Sequence, residues 1–134
     1  MTTWMLVEDE PDLYEMVLAM YDMWGISGVS FTTGEDAVAW IEQVDKGQAE
    51  DEIPELALVD IRLPNELTGV DVAQRLRSSP TLKNMVIVLM TAYKLKPTQE
   101  AAVRAQAGAN LLLYKPLPPF KKFRKILNDL LKER

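Results

Sequence analysis

Two runs in this chain, Leu56-Ala57-Leu58-Val59 and Met85-Val86-Ile87-Val88-Leu89-Met90, are apolar at every position. A strand with one wet face alternates apolar and polar residues, whereas a strand covered on both faces does not. Neither run approaches membrane-spanning length. A fold that contains them must supply cover for both faces of a sheet, and the rest of the sequence reads as that cover. Residues 4–7, 26–31 and 109–114 are further strand candidates. Between the strands, apolar residues recur at helical spacing: Leu13, Met16, Val17, Met20 and Trp24; Ala37, Trp40, Ile41 and Val44; Val72, Ala73 and Leu76. Residues 97–107 form an alanine-rich helix, and Phe120, Phe123, Ile126, Leu127, Leu130 and Leu131 mark one side of a last one. Pro11 opens the first helix, Thr33-Gly34 the second, and Gly25 and Gly108 act as stops. Residues 46–55 read as a solvated acidic loop and residues 62–68 as a second loop. Strands and helices in strict alternation predict an α/β fold: a parallel sheet with helices on both faces, in one domain over residues 1–134.

Composition removes several function classes. The sequence has no cysteine and no histidine. That excludes a disulfide framework, thiolate or imidazole zinc sites, and Ser–His or Cys–His hydrolases. No G-x-x-x-x-G-K-[ST] segment occurs, which excludes a P-loop nucleotide site. Charge is segregated. Residues 1–60 hold fifteen of the 20 acids and Lys46 as their one base, while the last twenty residues are rich in lysine and arginine. An acidic first half suits a cation and argues against direct nucleic-acid binding. The start lacks the basic and apolar regions of a signal peptide, so the reading is a cytoplasmic protein with no membrane partner.

The chemistry gathers at the strand ends. The first strand runs into Glu8-Asp9, the third ends on Asp60, the fourth on Thr91 and the fifth on Lys115. In a parallel sheet these side chains share the edge where ligands of open α/β sheets bind. Clustered carboxylates stay ionised only beside a compensating cation, and oxygen donors without His or Cys select Mg²⁺ or a similar hard ion. Lys115 adds a flexible positive charge and Thr91 a hydroxyl, a set suited to a phosphoryl group. Singly, most of these residues have an ordinary reading as loop acids, a strand terminus or a solvated lysine. Asp60 is the exception, because an acid rarely closes a fully apolar strand.

The blocks Leu6-Val7-Glu8-Asp9-Glu10, Leu58-Val59-Asp60-Ile61-Arg62-Leu63-Pro64, Met90-Thr91-Ala92 and Tyr114-Lys115-Pro116 resemble the signature blocks of response-regulator receiver domains. The resemblance covers nearly the whole chain and implies a (βα)₅ flavodoxin-like fold with strand order 2-1-3-4-5. It implies Asp60 as phosphoacceptor, with Mg²⁺ held by Glu8, Asp9, Asp60 and the backbone carbonyl of Arg62. Thr91 and Lys115 would contact the phosphoryl group, and the Lys115–Pro116 peptide would be cis. The implied partners are a sensor histidine kinase or a histidine phosphotransfer protein, plus an unidentified output partner. A homodimer through the last two helices and the fifth strand is a further implication. Such a module is not an enzyme beyond its own phosphorylation and dephosphorylation.

The sequence departs from the family pattern in four places. Pro64-Asn65-Glu66-Leu67-Thr68-Gly69 is one residue longer than the usual loop, and residues 47–55 are longer and more acidic than usual. Leu112 stands where an aromatic switch residue is usual, with Tyr114 on the same strand face. Arg62 and Tyr93, two residues past Asp60 and Thr91, are large enough to obstruct an attacking water. Two other readings compete. A Mg²⁺-dependent phosphotransferase or nuclease would want a second acid where Arg62 stands. A receiver-like interaction module that is never phosphorylated would not need the intact acidic set.

Overall fold

The structure, a computed structural model, describes residues 2–134. Ten elements alternate: β1 (Thr3–Val7), α1 (Pro11–Met23), β2 (Ser27–Phe31), α2 (Gly34–Asp45), β3 (Leu56–Asp60), α3 (Gly69–Ser78), β4 (Val86–Thr91), α4 (Pro97–Ala107), β5 (Leu111–Tyr114) and α5 (Phe120–Glu133). The strands form one parallel sheet in the order β2-β1-β3-β4-β5. This is the (βα)₅ flavodoxin-like arrangement.

The two-residue period of each strand divides the core. Met5, Val7, Ala57, Val59, Ile87 and Leu89 pack with residues of α2, α3 and α4 such as Ile41, Val72, Leu76 and Ala107. Trp4, Leu6, Leu56, Leu58, Val88 and Met90 pack with Val17, Met20 and Tyr21 of α1 and with Phe123 and Leu127 of α5. Both faces of the central strands are therefore dry, as their unbroken apolar runs require. Each fully buried Val, Leu, Ile, Phe or Met among them stabilises the fold by about 1.5–3 kcal/mol.

Local chemistry starts the helices where the sequence places them. Glu10 accepts hydrogen bonds from the Asp12 and Leu13 amides ahead of Pro11–Met23. Thr33 caps α2 through the Asp36 amide. Thr68 and Asp71 form a reciprocal capping box at α3. One expectation needs correcting. Met16, assigned to the apolar face of α1, is 46% exposed, because Val17, Met20 and Tyr21 occupy the buried side. Residues 46–53 are largely exposed, as expected of a solvated loop, and two of its acids anchor it: the Trp40 indole donates to Asp51 at 3.0 Å and the Thr3 hydroxyl to Glu52 at 3.3 Å.

The end of β3 is pressed against the start of α3. The Gly69 amide donates to the Ile61 carbonyl at 2.8 Å. A Cβ on Gly69 would lie 2.0 Å from the Asp60 carbonyl oxygen and 2.9 Å from the Ile61 Cα, both backbone atoms that cannot swing aside. Gly69→Ala is therefore predicted to lower stability by at least about 2 kcal/mol in urea denaturation. Because the strain falls on the Asp60 backbone, the same variant should also lose affinity for divalent cations.

Candidate functional site

Register builds the site. Val7 pairs with Val59 in β1–β3, Asp60 with Met90 in β3–β4, and Thr91 with Tyr114 in β4–β5. Glu8, Asp60, Thr91 and Lys115 thus emerge at one edge of the sheet, one strand after another. Glu8 is fully buried, Asp60 is 5% exposed, Thr91 is buried, and Asp9 is exposed. Carboxylate oxygens of Glu8, Asp9 and Asp60 lie within 4.8 Å of one another, close enough to share one metal ion. An all-oxygen donor set of this size fits Mg²⁺.

Lys115 bridges two of the acids. Its Nζ donates to Glu8 Oε1 at 2.7 Å and to Asp60 Oδ2 at 3.0 Å. The backbone fixes the remaining oxygens: the Glu10 amide donates to Glu8 Oε2 at 3.0 Å, and the Arg62 amide to Asp60 Oδ1 at 3.2 Å. The Lys115 amide donates to the Thr91 carbonyl at 2.8 Å, and the Lys115–Pro116 peptide is cis, matching the expectation. Thr91 Oγ1 accepts from the Tyr93 amide at 3.1 Å. Burial pushes the Glu8 carboxyl above its ordinary value, with the Lys115 hydrogen bond opposing that push. Burial disfavours the charged Lys115 ammonium, but its two carboxylate partners prevail and hold its pKa above the ordinary lysine value.

Three contacts around the site escaped the sequence reading. The Arg62 guanidinium lies 3.9 Å from the centre of the Tyr93 ring and donates to its hydroxyl at 3.1 Å. This stack ties the loop after β3 to the loop after β4. Glu35, in the first turn of α2, accepts from the Glu66 and Leu67 amides at 3.0 and 3.1 Å and clasps the lengthened loop. Within that loop Asn65 takes the left-handed conformation, φ 70°. Leu112 is buried among apolar residues of the α2–α4 side, and Tyr114 packs against the same cluster. The Tyr114 hydroxyl donates to Glu100 of α4 at 3.3 Å. Arg62 and Tyr93 were each noticed in the sequence, but residues 31 apart give no local sign that they stack.

A parallel α/β sheet gathers three acids, a threonine and a lysine at its carboxyl edge, an oxygen-rich cluster compatible with a divalent cation. The chain belongs to the response regulator receiver domain family, whose model matches residues 5–128. That family is a signalling module of two-component systems rather than a class of enzymes. The receiver domain of the sensor histidine kinase PA1611 from Pseudomonas aeruginosa is 26% identical, covers 98% of both chains and superposes with a TM-score of 0.79. That protein carries a magnesium ion in its active-site cleft. A CheY-like receiver domain protein from Methanospirillum hungatei shares the fold, with 21% identity, TM-score 0.78, and coverage of 99% of this chain and 96% of that one. An uncharacterized 14.6 kDa protein of Leptolyngbya boryana is 26% identical over 120 residues, 90% of this chain and 83% of the relative. Among the described residues, no helix is long and apolar enough to cross a membrane.

Removing Lys115 leaves Glu8 buried without its cation. Lys115→Met is predicted to cost about 3 kcal/mol at neutral pH in the absence of metal, read by urea denaturation. A carboxyl whose folded pKa lies above 4.5 protonates first in the folded state. Its contribution to stability is fully present below 4.5 and is lost as pH rises through the folded value. The deficit of Lys115→Met should therefore shrink as pH falls from 7 toward 4.5.

Proposed function

We propose that this chain is a phosphoacceptor receiver. It takes a phosphoryl group from a sensor histidine kinase or a histidine phosphotransfer protein onto Asp60, in the cytoplasm, and passes the change to an output partner. The observation that carries this reading is Lys115 bridging Glu8 and Asp60 beside the exposed Asp9. Lys115 holds its ammonium between two acids, from where it would re-pair with a phosphoryl oxygen. Glu8, Asp9, Asp60 and the Arg62 carbonyl would hold Mg²⁺, which neutralises phosphoryl oxygens when bound.

In the transfer step one Asp60 oxygen forms a bond to phosphorus as the donor's bond from phosphorus to imidazole nitrogen breaks. The leaving imidazole keeps the electron pair and regains a proton. Lys115 would move from Asp60 to the new phosphoryl oxygens. Thr91 would turn its hydroxyl from the Tyr93 amide to donate to them. Those contacts exist only in the phosphorylated state, so they shift the population of the loop after β4. Tyr114, paired with Thr91 and joined to Glu100, would carry the shift to α4 where the usual aromatic is replaced by Leu112. Residues 1–134 would act as one receiver unit.

Acetyl phosphate with Mg²⁺ should add one phosphoryl group to the wild type by intact mass, and none to Asp60→Asn or to the wild type in EDTA. A wild type that takes no label under these conditions would replace this reading with an unphosphorylated interaction module. The Arg62–Tyr93 stack adds a second expectation. In receiver domains these two positions flank the acyl phosphate, so the stack would obstruct an attacking water, and Arg62→Ala and Tyr93→Ala should each speed loss of the phosphoryl group several-fold. Unchanged lifetimes in both variants would remove the shielding role from this pair.

A further inference from the structure

The first turn of α2 makes two contacts with the loop after β3 that the phosphoryl chemistry does not itself use. Glu35, half-buried in that turn, accepts from the Glu66 amide at 3.0 Å and from the Leu67 amide at 3.1 Å, both on Oε2. Its Oε1 is buried and meets no donor. Gly34, one residue earlier, is buried against the same loop. A Cβ there would lie 2.9 Å from the Leu67 Cβ and 3.0 Å from the Leu67 carbonyl oxygen. The start of α2 is thus seated on residues 66 and 67 by charge-assisted hydrogen bonds and by close backbone packing.

The loop needs such a seat. It is closed at its base, where the Gly69 amide donates to the Ile61 carbonyl at 2.8 Å, and Asn65 turns it through the left-handed region, φ 70°. Each residue held in one conformation costs backbone entropy that local interactions must offset. Arg62, Asn65, Glu66 and Thr68 are exposed, so burial offsets little of that cost at the tip. The bonds to Glu35 hold the tip instead.

We propose that Glu35 is a positioning residue for the divalent cation: by seating residues 66 and 67 on α2, it aims the Arg62 carbonyl into the acidic edge. The inference rests on the reading of that carbonyl as a metal ligand. The Arg62 amide is fixed by Asp60 Oδ1 at 3.2 Å, and the Arg62 side chain by the Tyr93 ring. Neither contact sets the peptide plane between Arg62 and Leu63, which carries the oxygen. That plane follows from where the chain runs next, and through Pro64 and Asn65 it runs to the seat on Glu35. A loop free to rock would spread the oxygen over many directions and weaken its bond to an ion. Groups that orient metal ligands from outside the coordination sphere tune affinity in this way. Glu35 itself bonds to residues 66 and 67, so it acts on the ion through the backbone. The long-range pull of its negative charge is a separate contribution, which a second variant isolates.

The test uses the full chain as wild type, Glu35→Ala and Glu66→Gln, with Mg²⁺ alone as the probe. Glu66→Gln removes one negative charge from the same loop and leaves its backbone amide in place. In calorimetric titration Glu35→Ala should bind Mg²⁺ about tenfold more weakly, the low end of what losing such an outer partner costs. Glu66→Gln should stay within about twofold of wild type at physiological ionic strength, where exposed charges are screened. Hydrogen exchange of the metal-free proteins, followed by NMR, should show protection lost at Glu66 and Leu67 in Glu35→Ala. The amides of β1 and β4 should exchange as slowly as in wild type, because only the loop is released. Unchanged Mg²⁺ affinity in Glu35→Ala would overturn the proposal, as would protection kept at residues 66 and 67. Faster exchange throughout the chain would make Glu35 a general stabiliser instead. Equal losses in Glu35→Ala and Glu66→Gln would assign the effect to charge and also overturn it. A wild type that binds no Mg²⁺ would remove the cation reading of the acidic edge, and this inference with it.

Discussion

Three carboxylates held within one coordination distance are the constraint to which this fold answers. Glu8, Asp9 and Asp60 bring their oxygens within 4.8 Å, where each ionised pair repels by about 3–4 kcal/mol at an effective dielectric constant near 20. A flexible scaffold would relieve the repulsion by letting the acids drift apart. Here two of them follow or end strands that are dry on both faces, and the parallel register leaves no slack. The backbone answers part of the charge, through the Glu10 amide on Glu8 and the Arg62 amide on Asp60. Lys115 answers more of it by bridging the two buried acids. The exposed Asp9 completes an opening that suits a hard cation.

The loops around the site are pinned from outside it. Gly69 lets α3 press against the Asp60 backbone, and Glu35 reaches across from α2 to clasp the lengthened loop. The Arg62–Tyr93 stack joins that loop to the one after β4. A change at Asp60 therefore meets a rim already coupled across two loops. On the α4 side the Tyr114 hydroxyl is joined to Glu100, while Leu112, which has no polar group, is buried in the core.

Much of this was legible in the sequence, for identifiable reasons. The unbroken apolar runs at residues 56–59 and 85–90 announced strands covered on both faces, and Pro11 and Thr33-Gly34 marked where the first two helices begin. Strand ends in a parallel sheet fall on one edge, so the sequence alone puts Glu8, Asp60, Thr91 and Lys115 together. The strand order came from the family resemblance, because hydrophobic pattern carries no information about which strand neighbours which. Contacts made by long polar side chains across distant loops were not legible: Glu35 to Glu66, or Arg62 to Tyr93, leave no periodic trace. Tyr21 was missed as a core residue because its hydroxyl finds the Met5 carbonyl at 3.0 Å inside the protein. Position on a helix gave the wrong answer for Met16, which the crowded buried side of α1 leaves in water.

If the acids at this sheet edge hold a divalent cation and present Asp60 to a phosphoryl group, beryllofluoride, which mimics an acyl phosphate without its hydrolysis, should bind there. Fluorine NMR of the protein should then show bound fluoride resonances at one equivalent that require Mg²⁺ and are absent from Asp60→Asn. Wild-type protein with no bound resonance in Mg²⁺ would contradict that reading and leave the acidic edge in need of a different explanation.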